Sequence, residues 1–168
     1  MEKRYDISER IKDIERGYNV NVETIPNQIE SLKFAKQLLE NIKKEILIIL
    51  ASPSTFFRME NNIGFGNIEK STHHGVKVKI LIPWNNEIKE KINNIQIRYP
   101  KIEFRLLQSR TESYIGITII DTQRVLIQEV KDDSKSKYID SVGMTIFIEG
   151  KTTVLSYAYQ FVHLEDNK

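Results

Sequence analysis

Residues Ser113 to Glu129 read S-Y-I-G-I-T-I-I-D-T-Q-R-V-L-I-Q-E, and this stretch decides the fold. Two runs rich in β-branched residues, Ile115 to Ile120 and Arg124 to Gln128, flank a polar tripeptide that begins at Asp121. Short Ile/Val/Thr-rich runs separated in this way predict a β-hairpin. The first run is almost continuously apolar, which predicts a central strand that is buried on both faces. Asp121 would then lie at the carboxyl end of this strand, where α/β sheets usually bind ligands.

Helical and strand patterns alternate along the first two thirds of the chain. Asn27 and Glu30 form a variant of the capping box before a helix that ends near residue 44. Buried strands follow at residues 46–50 and 76–82, with a weaker helix at residues 63–74 between them. This order predicts parallel strand pairs, so we expect one α/β lobe with a mixed, mostly parallel β-sheet flanked by helices on both faces. The other predicted elements are a strand at residues 20–25, a polar loop at 51–58, strands at 95–99 and 102–107, a charged loop at 131–140, a strand at 141–148 and a final helix after Gly150.

The composition narrows the possible functions. A chain of 168 residues with 25 basic and 23 acidic side chains has a formal net charge of +2, which argues against nucleic acid or an anionic membrane as a partner. The absence of cysteine excludes disulfides and thiolate sites and is typical of a cytoplasmic protein. No apolar run is long enough to span a membrane. His73, His74 and His163 lack the spacing of metal ligands, and Gly64 and Gly66 lack the rest of a phosphate-binding loop, so we expect neither a metal nor a cofactor.

Polar residues that follow predicted strands form the candidate ligand site. Ser52, Ser54 and Arg58 occupy the loop after the strand at residues 46–50, where hydroxyl groups and a guanidinium group could bind an anionic or polar ligand. Trp84 ends the strand at residues 76–82 and could form the wall of a pocket. The complete candidate site is Ser52, Ser54, Arg58, Trp84, Asp121 and Asp132, and its expected ligand is a small polar or anionic molecule.

Several stretches in a fixed order carry a resemblance to a known family. They are Glu9–Gly17, Lys43–Ile49, Gly75–Pro83, Ile97–Tyr99, Ile117–Asp121, Glu129–Asp133 and Lys151–Tyr157. In this order and spacing they resemble the phospholipase D-like domain that precedes the kinase module in many archaeal sensor histidine kinases. The resemblance implies a leader or connecting helix at residues 1–19 and a phospholipase D-like domain at residues 20–168.

The catalytic motif of that family is incomplete in this sequence. A catalytic lobe needs His-x-Lys-x-x-x-x-Asp, in which the His attacks phosphorus and the Lys neutralises the phosphate oxygens. Alignment on Asp121 places Tyr114 at the His position and Gly116 at the Lys position, and no His-x-Lys occurs elsewhere in the chain. The resemblance therefore implies a degenerate, noncatalytic domain, and we expect that this chain is not an enzyme.

The resemblance also implies a function. It predicts a sensory, ligand-binding domain of a two-component histidine kinase, which acts as a homodimer and passes its signal to the kinase output module of the parent chain. Two alternatives stay open. One is a phosphodiesterase or nuclease of the phospholipase D type with an altered site. The other is an effector-binding or dimerisation module associated with a transcription regulator.

Overall fold

A computed structural model describes residues 20–62, 64–72, 75–108 and 113–166. The predicted leader at residues 1–19 and the pair His73 and His74 lie outside these residues. The strands are β1 (Asn21–Ile25), β2 (Glu45–Ile49), β3 (Lys77–Ile82), β4 (Ile102–Leu106), β5 (Ile115–Ile120), β6 (Arg124–Val130) and β7 (Val142–Glu149). The helices are α1 (Gln28–Glu40), α2 (Pro53–Asn61), α3 (Gly64–Ser71), α4 (Asn86–Arg98), α5 (Tyr138–Ser141) and α6 (Lys151–Asp166).

The predicted hairpin is confirmed as β5 and β6. Ile120 pairs with Arg124, so three residues connect the two antiparallel strands. Asp121 and Thr122 have φ angles of 53° and 54°, in the left-handed region that non-glycine residues rarely adopt. The hydrogen bond of 3.1 Å from the Gln123 amide to the Ile120 carbonyl closes the connection. Because Asp121 and Thr122 adopt this conformation, the chain reverses direction within the three-residue connection.

The seven strands form one mixed sheet in the order β1-β7-β6-β5-β2-β3-β4, which makes β5 the central strand. Four strand pairs are antiparallel, and only the pairs β2/β3 and β3/β4 are parallel. The chain is thus a single α/β domain, but the prediction of a mostly parallel sheet is wrong. The alternation of helix and strand that favoured it is confined to the part of the chain that ends with β4. After this point the described connections between strands contain only the short helix α5, and antiparallel pairs do not need a long crossover helix.

The expectation of helices on both faces of the sheet is not supported as stated, because most of the described helices pack on the same side of the strands. Side chains of α1 to α4 pack with one set of strand residues, to which Ile48 and Ile80 belong. Among the described helices, α6 supplies the side chains that pack on the cluster containing Ile119 and Val125. None of the described helices is long and apolar enough to cross a lipid bilayer.

Two local predictions are wrong because helical signals were overlooked. The predicted polar loop at residues 51–58 contains the first turns of α2, where Ser52 is the N-cap residue and Pro53 occupies the first turn. Proline at this position is typical of a helix start. The predicted strand at residues 95–99 is the last part of α4, in which Ile88 and Ile95 are buried two turns apart while Ile97 is 78% exposed. The period of 3.6 residues therefore outweighs the short alternation of apolar residues.

Candidate functional site

Asp121 lies at the end of β5 that connects to β6, and its carboxylate is fully engaged with the backbone at the start of β2. The Oδ1 atom accepts hydrogen bonds from the amides of Lys44 and Glu45 at 2.7 and 3.1 Å, and Oδ2 accepts one from Lys43 at 3.0 Å. Arg124 donates a further bond to Oδ2 at 3.1 Å. A carboxylate that accepts these bonds fixes the loop before β2 against the hairpin. Asp121 therefore has a structural role here.

The electrostatic state of Asp121 agrees with this role. Burial alone would raise the pKa of this carboxyl group, because desolvation disfavours the charged form. The backbone amides of Lys44, Glu45 and Lys43 and the charge of Arg124 outweigh this effect and hold the pKa of Asp121 below its usual value. The charged form of Asp121 is thus the one that the fold stabilises.

Arg58 is the centre of a second cluster, at the opposite end of the sheet. Although it is only 7% exposed, its guanidinium group donates to the carbonyls of Asp133 and Lys135 at 3.0 and 3.1 Å, to Thr55 Oγ1 at 3.1 Å and to Asp133 Oδ1 at 2.7 Å. Ser52 Oγ donates to the same Asp133 oxygen at 2.9 Å and accepts from the Thr55 amide. These residues, Ser52, Thr55, Arg58 and Asp133, are called the Arg58 clamp below. The clamp joins α2 to the loop before α5.

The other candidate residues lie around this cluster or away from it. Ser54 lines a shallow groove of about 480 Å³ that Asp133 also lines. Asp132 is next in sequence to the clamp, but its Oδ1 accepts hydrogen bonds from the amide and hydroxyl of Ser134 within its own loop. Those two bonds lower the pKa of Asp132. Trp84 follows β3, where the ammonium group of Lys89 lies 5.0 Å from the ring centroid.

The six predicted residues therefore do not form one site. Ser52 and Arg58 are in contact with a common partner, while Asp121 belongs to the far end of β5. Asp133 was missed as the partner of Arg58, since only the fold brings these residues, 75 positions apart, together. The sequence signal was the acidic pair at residues 132 and 133, because a buried arginine requires an acidic partner.

At the other end of β5, the strand is open. Tyr114 immediately precedes β5 and is 79% exposed, and its carbonyl accepts a hydrogen bond of 2.7 Å from the Val130 amide. Gly116 pairs with Gln128 of β6. A Cβ atom at Gly116 would lie 3.7 Å from the Ile49 carbonyl oxygen, which is an ordinary contact. A side chain is therefore missing at a strand position that has room for one.

A cavity of about 540 Å³ begins beside this end of the sheet and extends along β5 as far as Ile120. Its walls come from α1, α2, α3, α5 and the strands β2, β5 and β6, and they are mostly apolar, with Leu39, Ile48 and Leu126 among them. Gly116, Gln128 and Tyr138 also line it. The Gln128 side-chain amide donates a hydrogen bond to the Tyr138 hydroxyl. Burial raises the pKa of Tyr138 to about 12, although this hydrogen bond acts in the opposite direction, so the hydroxyl stays protonated at neutral pH.

Among the described residues, no group of three or more histidine or acidic side chains is placed to hold a metal ion.

Comparison with solved structures shows the phospholipase D-like fold. NucT from Helicobacter pylori is 16% identical, with a TM-score of 0.65 over 88% of this chain and 97% of that chain. Nuc from Salmonella typhimurium, a phospholipase D family member, is 14% identical, with a TM-score of 0.58 over 88% and 94%. TrmBL2, an archaeal chromatin protein with a novel mode of DNA binding, is 20% identical, with a TM-score of 0.58; the match covers 96% of this chain but only 59% of TrmBL2. No family model matches the sequence, and no curated protein does.

These similarities contradict the prediction that the chain is not an enzyme. That prediction assumed that loss of the family's His and Lys removes catalysis. The fold, however, is shared over most of the chain with a phospholipase D family member. The missing motif alone therefore does not support a noncatalytic domain.

Proposed function

We propose that this chain binds and cleaves phosphodiesters at the open end of β5, with an altered set of residues in place of the phospholipase D motif. The observation that carries the proposal is the position of Tyr114. Alignment on Asp121 puts it where the family has its nucleophile, and its side chain is 79% exposed at that point of a phospholipase D-like fold. Tyrosine is one of the side chains that form covalent intermediates in enzymes.

The chemistry would proceed in two steps. The phenol oxygen of Tyr114 loses its proton to solvent and attacks phosphorus, which forms a phosphotyrosyl ester while the first alcohol leaves and takes a proton from water. A water molecule then hydrolyses this ester and releases the second product. Two exposed lysines would supply the positive charge that stabilises the phosphate oxygens. Lys131 directly follows β6, and Lys137 lines the cavity.

The test is hydrolysis of bis(4-nitrophenyl) phosphate by purified protein, with EDTA present to suppress contaminating metal-dependent enzymes. We expect slow hydrolysis by the natural sequence, and no release above buffer for Tyr114→Phe. The matched control is Tyr159→Phe on α6, because Tyr159 is 78% exposed and loses the same hydroxyl group. The control should retain full activity.

The covalent step gives a second measurement. Acid quenching during turnover followed by mass spectrometry of the peptide containing Tyr114 should detect the mass of an aryl phosphate ester. The proposal fails if the natural sequence has no activity, or if Tyr114→Phe and Tyr159→Phe hydrolyse the substrate equally well.

A second candidate function is a regulator-associated module that binds an effector or dimerises. The fold also occurs in TrmBL2, an archaeal chromatin protein, and that similarity extends over 96% of this chain, against 88% for NucT, which is compatible with a function other than phosphodiester cleavage. The large apolar cavity beside β5 is compatible with an effector site. Ligand-dependent dimerisation without any hydrolysis would favour this candidate.

The sensory function in a histidine kinase, the homodimer, the kinase output module as partner, the cytoplasmic location and the absence of nucleic acid among the partners stay predictions. Native mass spectrometry of freshly purified protein tests the first of these most directly. A dimer with a small-molecule adduct that is lost on denaturation would support sensing. A monomer would contradict the predicted dimer.

A further inference from the structure

The cavity beside β5 has the size and composition of a ligand site. Its volume is about 540 Å³, and it is partly open to solvent, since exposed residues such as Lys36 and Ile139 belong to its lining. Sites for small molecules are commonly of this volume and are mostly apolar, with a small number of polar groups that orient the ligand. This cavity has the same arrangement.

The side chains of Gln128 and Tyr138 determine which hydrogen-bonding groups a ligand in this cavity needs. The Tyr138 hydroxyl accepts a hydrogen bond from the Gln128 side-chain amide, which leaves the hydroxyl proton to be donated. In the described part of the chain, none of the hydrogen bonds found uses that proton or the Gln128 side-chain carbonyl oxygen. Among the polar groups of this mostly apolar cavity, one available donor and one available acceptor thus lie side by side. A ligand hydroxyl group could bind both, and a ligand carbonyl could bind the donor.

Arg58 is the buried charged residue among those that line the cavity, and its hydrogen bonds are already made within the protein. Arg58 is 7% exposed, and its guanidinium group binds the carbonyls of Asp133 and Lys135, Thr55 Oγ1 and the Asp133 carboxylate. It therefore carries its counter-charge within the protein and does not require an anionic ligand. The other charged residues that line the cavity, Lys36, Glu129 and Lys137, are all exposed to solvent.

We propose that this cavity binds a neutral small molecule with a mostly hydrocarbon body, whose single hydroxyl or carbonyl oxygen binds Gln128 and Tyr138. The missing side chain at Gly116 supplies part of the space. This site does not depend on phosphodiester cleavage, since neither Tyr114 nor an anionic group takes part in it.

The test is a fluorescence titration with N-phenyl-1-naphthylamine, a neutral apolar probe whose emission rises on leaving water. We expect saturable binding of one probe per chain. Gly116→Leu should weaken this binding at least tenfold, because its side chain enters the cavity from a position where a Cβ atom fits. Ala35→Phe fills the cavity from α1 and replaces Gly116→Leu if that variant does not fold.

Competition between the probe and other ligands tests which chemical group binds Gln128 and Tyr138. 1-Octanol should displace the probe from the natural sequence at lower concentration than octanoate does. Tyr138→Phe should weaken displacement by 1-octanol severalfold and leave probe affinity almost unchanged, whereas Tyr159→Phe should change neither. The proposal is overturned if cavity-filling variants bind the probe normally, if Tyr138→Phe has no effect on 1-octanol, or if octanoate is the better competitor. Hydrolysis of bis(4-nitrophenyl) phosphate is measured in the same variants, so that failure of one proposal can be told from failure of the other.

Discussion

The two ends of β5 differ in how their polar groups are used. At the end near the hairpin connection, the Asp121 carboxylate accepts hydrogen bonds from three backbone amides and from Arg124. At the other end, Tyr114 is exposed and Gly116 leaves space beside a cavity. One strand thus combines a tightly bonded end with an open one. A fold can hold an open site when the rest of the same element is over-determined by other contacts.

The difference predicts where substitutions will reduce stability and where they will alter binding. Changes around Asp121 should lower the free energy of unfolding and leave the chemistry of the open end intact in molecules that remain folded. Changes at Tyr114 and Gly116 should act mainly on binding or activity. The predictions below test this division, beginning with the largest expected effect.

Asp121→Asn should lower the free energy of unfolding by about 3 kcal/mol, since hydrogen bonds to a charged group are the stronger kind and several are lost or weakened together. Asparagine tolerates the left-handed conformation that this position requires, so the variant tests the charge and not the backbone. Urea unfolding measures the change. The exposed Asp140 provides the control, and Asp140→Asn should change the stability by less than about 0.5 kcal/mol.

The same residue makes a pH-dependent contribution whose sign is fixed. Because the folded state lowers the pKa of Asp121, this group stabilises the fold above its unfolded pKa of about 3.9, and the stabilisation is lost as the pH falls below that value through the folded pKa. The stability difference between the natural sequence and Asp121→Asn should therefore shrink as the pH is lowered from 7 to 3. A difference that stays constant over this range would show that the charge of Asp121 is not what stabilises the fold.

The Arg58 clamp should come second. Arg58→Gln removes a guanidinium group with four hydrogen bonds, but the Asp133 carboxylate that it leaves is 37% exposed and can be hydrated, so we expect a loss of about 2 kcal/mol. Amide hydrogen exchange at residues 133–137 should accelerate as the loop is released. Arg98→Gln is the control, because Arg98 is 57% exposed and its contact with Glu60 is long, at 3.5 Å.

If Arg58→Gln leaves both the stability and the exchange of residues 133–137 unchanged, the clamp does not hold this loop. Unchanged stability with faster exchange would restrict its effect to the loop.

The elements that were predicted correctly are those with a strong local pattern. The hairpin at residues 115–130 and the buried strands β2 and β3 follow from short apolar runs rich in β-branched residues. The helix α2 could also have been predicted, because Ser52 followed by Pro53 is a helix start in its own right. The sheet direction could not, since antiparallel pairing of β5 with β2 depends on contacts between residues about 70 positions apart.

The candidate site shows the same limit. Asp121 stood out because carboxyl ends of strands often bind ligands, yet its partners are backbone amides at residues 43–45, which carry no side-chain signal. The sequence predicts that Arg58 binds an anionic or polar ligand, whereas in the structure its guanidinium group binds Asp133, and no local pattern distinguishes a ligand from such a distant carboxylate. An isolated glycine within a strand is a local signal, and Gly116 could have pointed to the open end of β5.

The smallest predicted effect is an increase in stability. Thr145 of β7 pairs with Gln128 near the open end and is completely buried. Among the buried side-chain nitrogen and oxygen atoms of the described residues, its Oγ1 is the one that has no hydrogen-bond partner. Thr145→Val replaces this hydroxyl with a methyl group of nearly the same shape. Because a buried unpaired hydroxyl is destabilising, we expect the free energy of unfolding to rise by about 1 kcal/mol.

Thr24→Val provides the matched control, because Thr24 lies in the edge strand β1 with an exposed side chain and undergoes the same exchange of atoms. Urea unfolding of both variants separates the removal of a buried hydroxyl from the general effect of valine in a strand, which should be small in each. A stability loss in Thr145→Val alone would mean that the hydroxyl is hydrogen-bonded in solution, for instance to a buried water molecule. Thr145 would then no longer distinguish the open end of β5 from the end that Asp121 holds, and the contrast would rest on Tyr114, Gly116 and the cavity beside them.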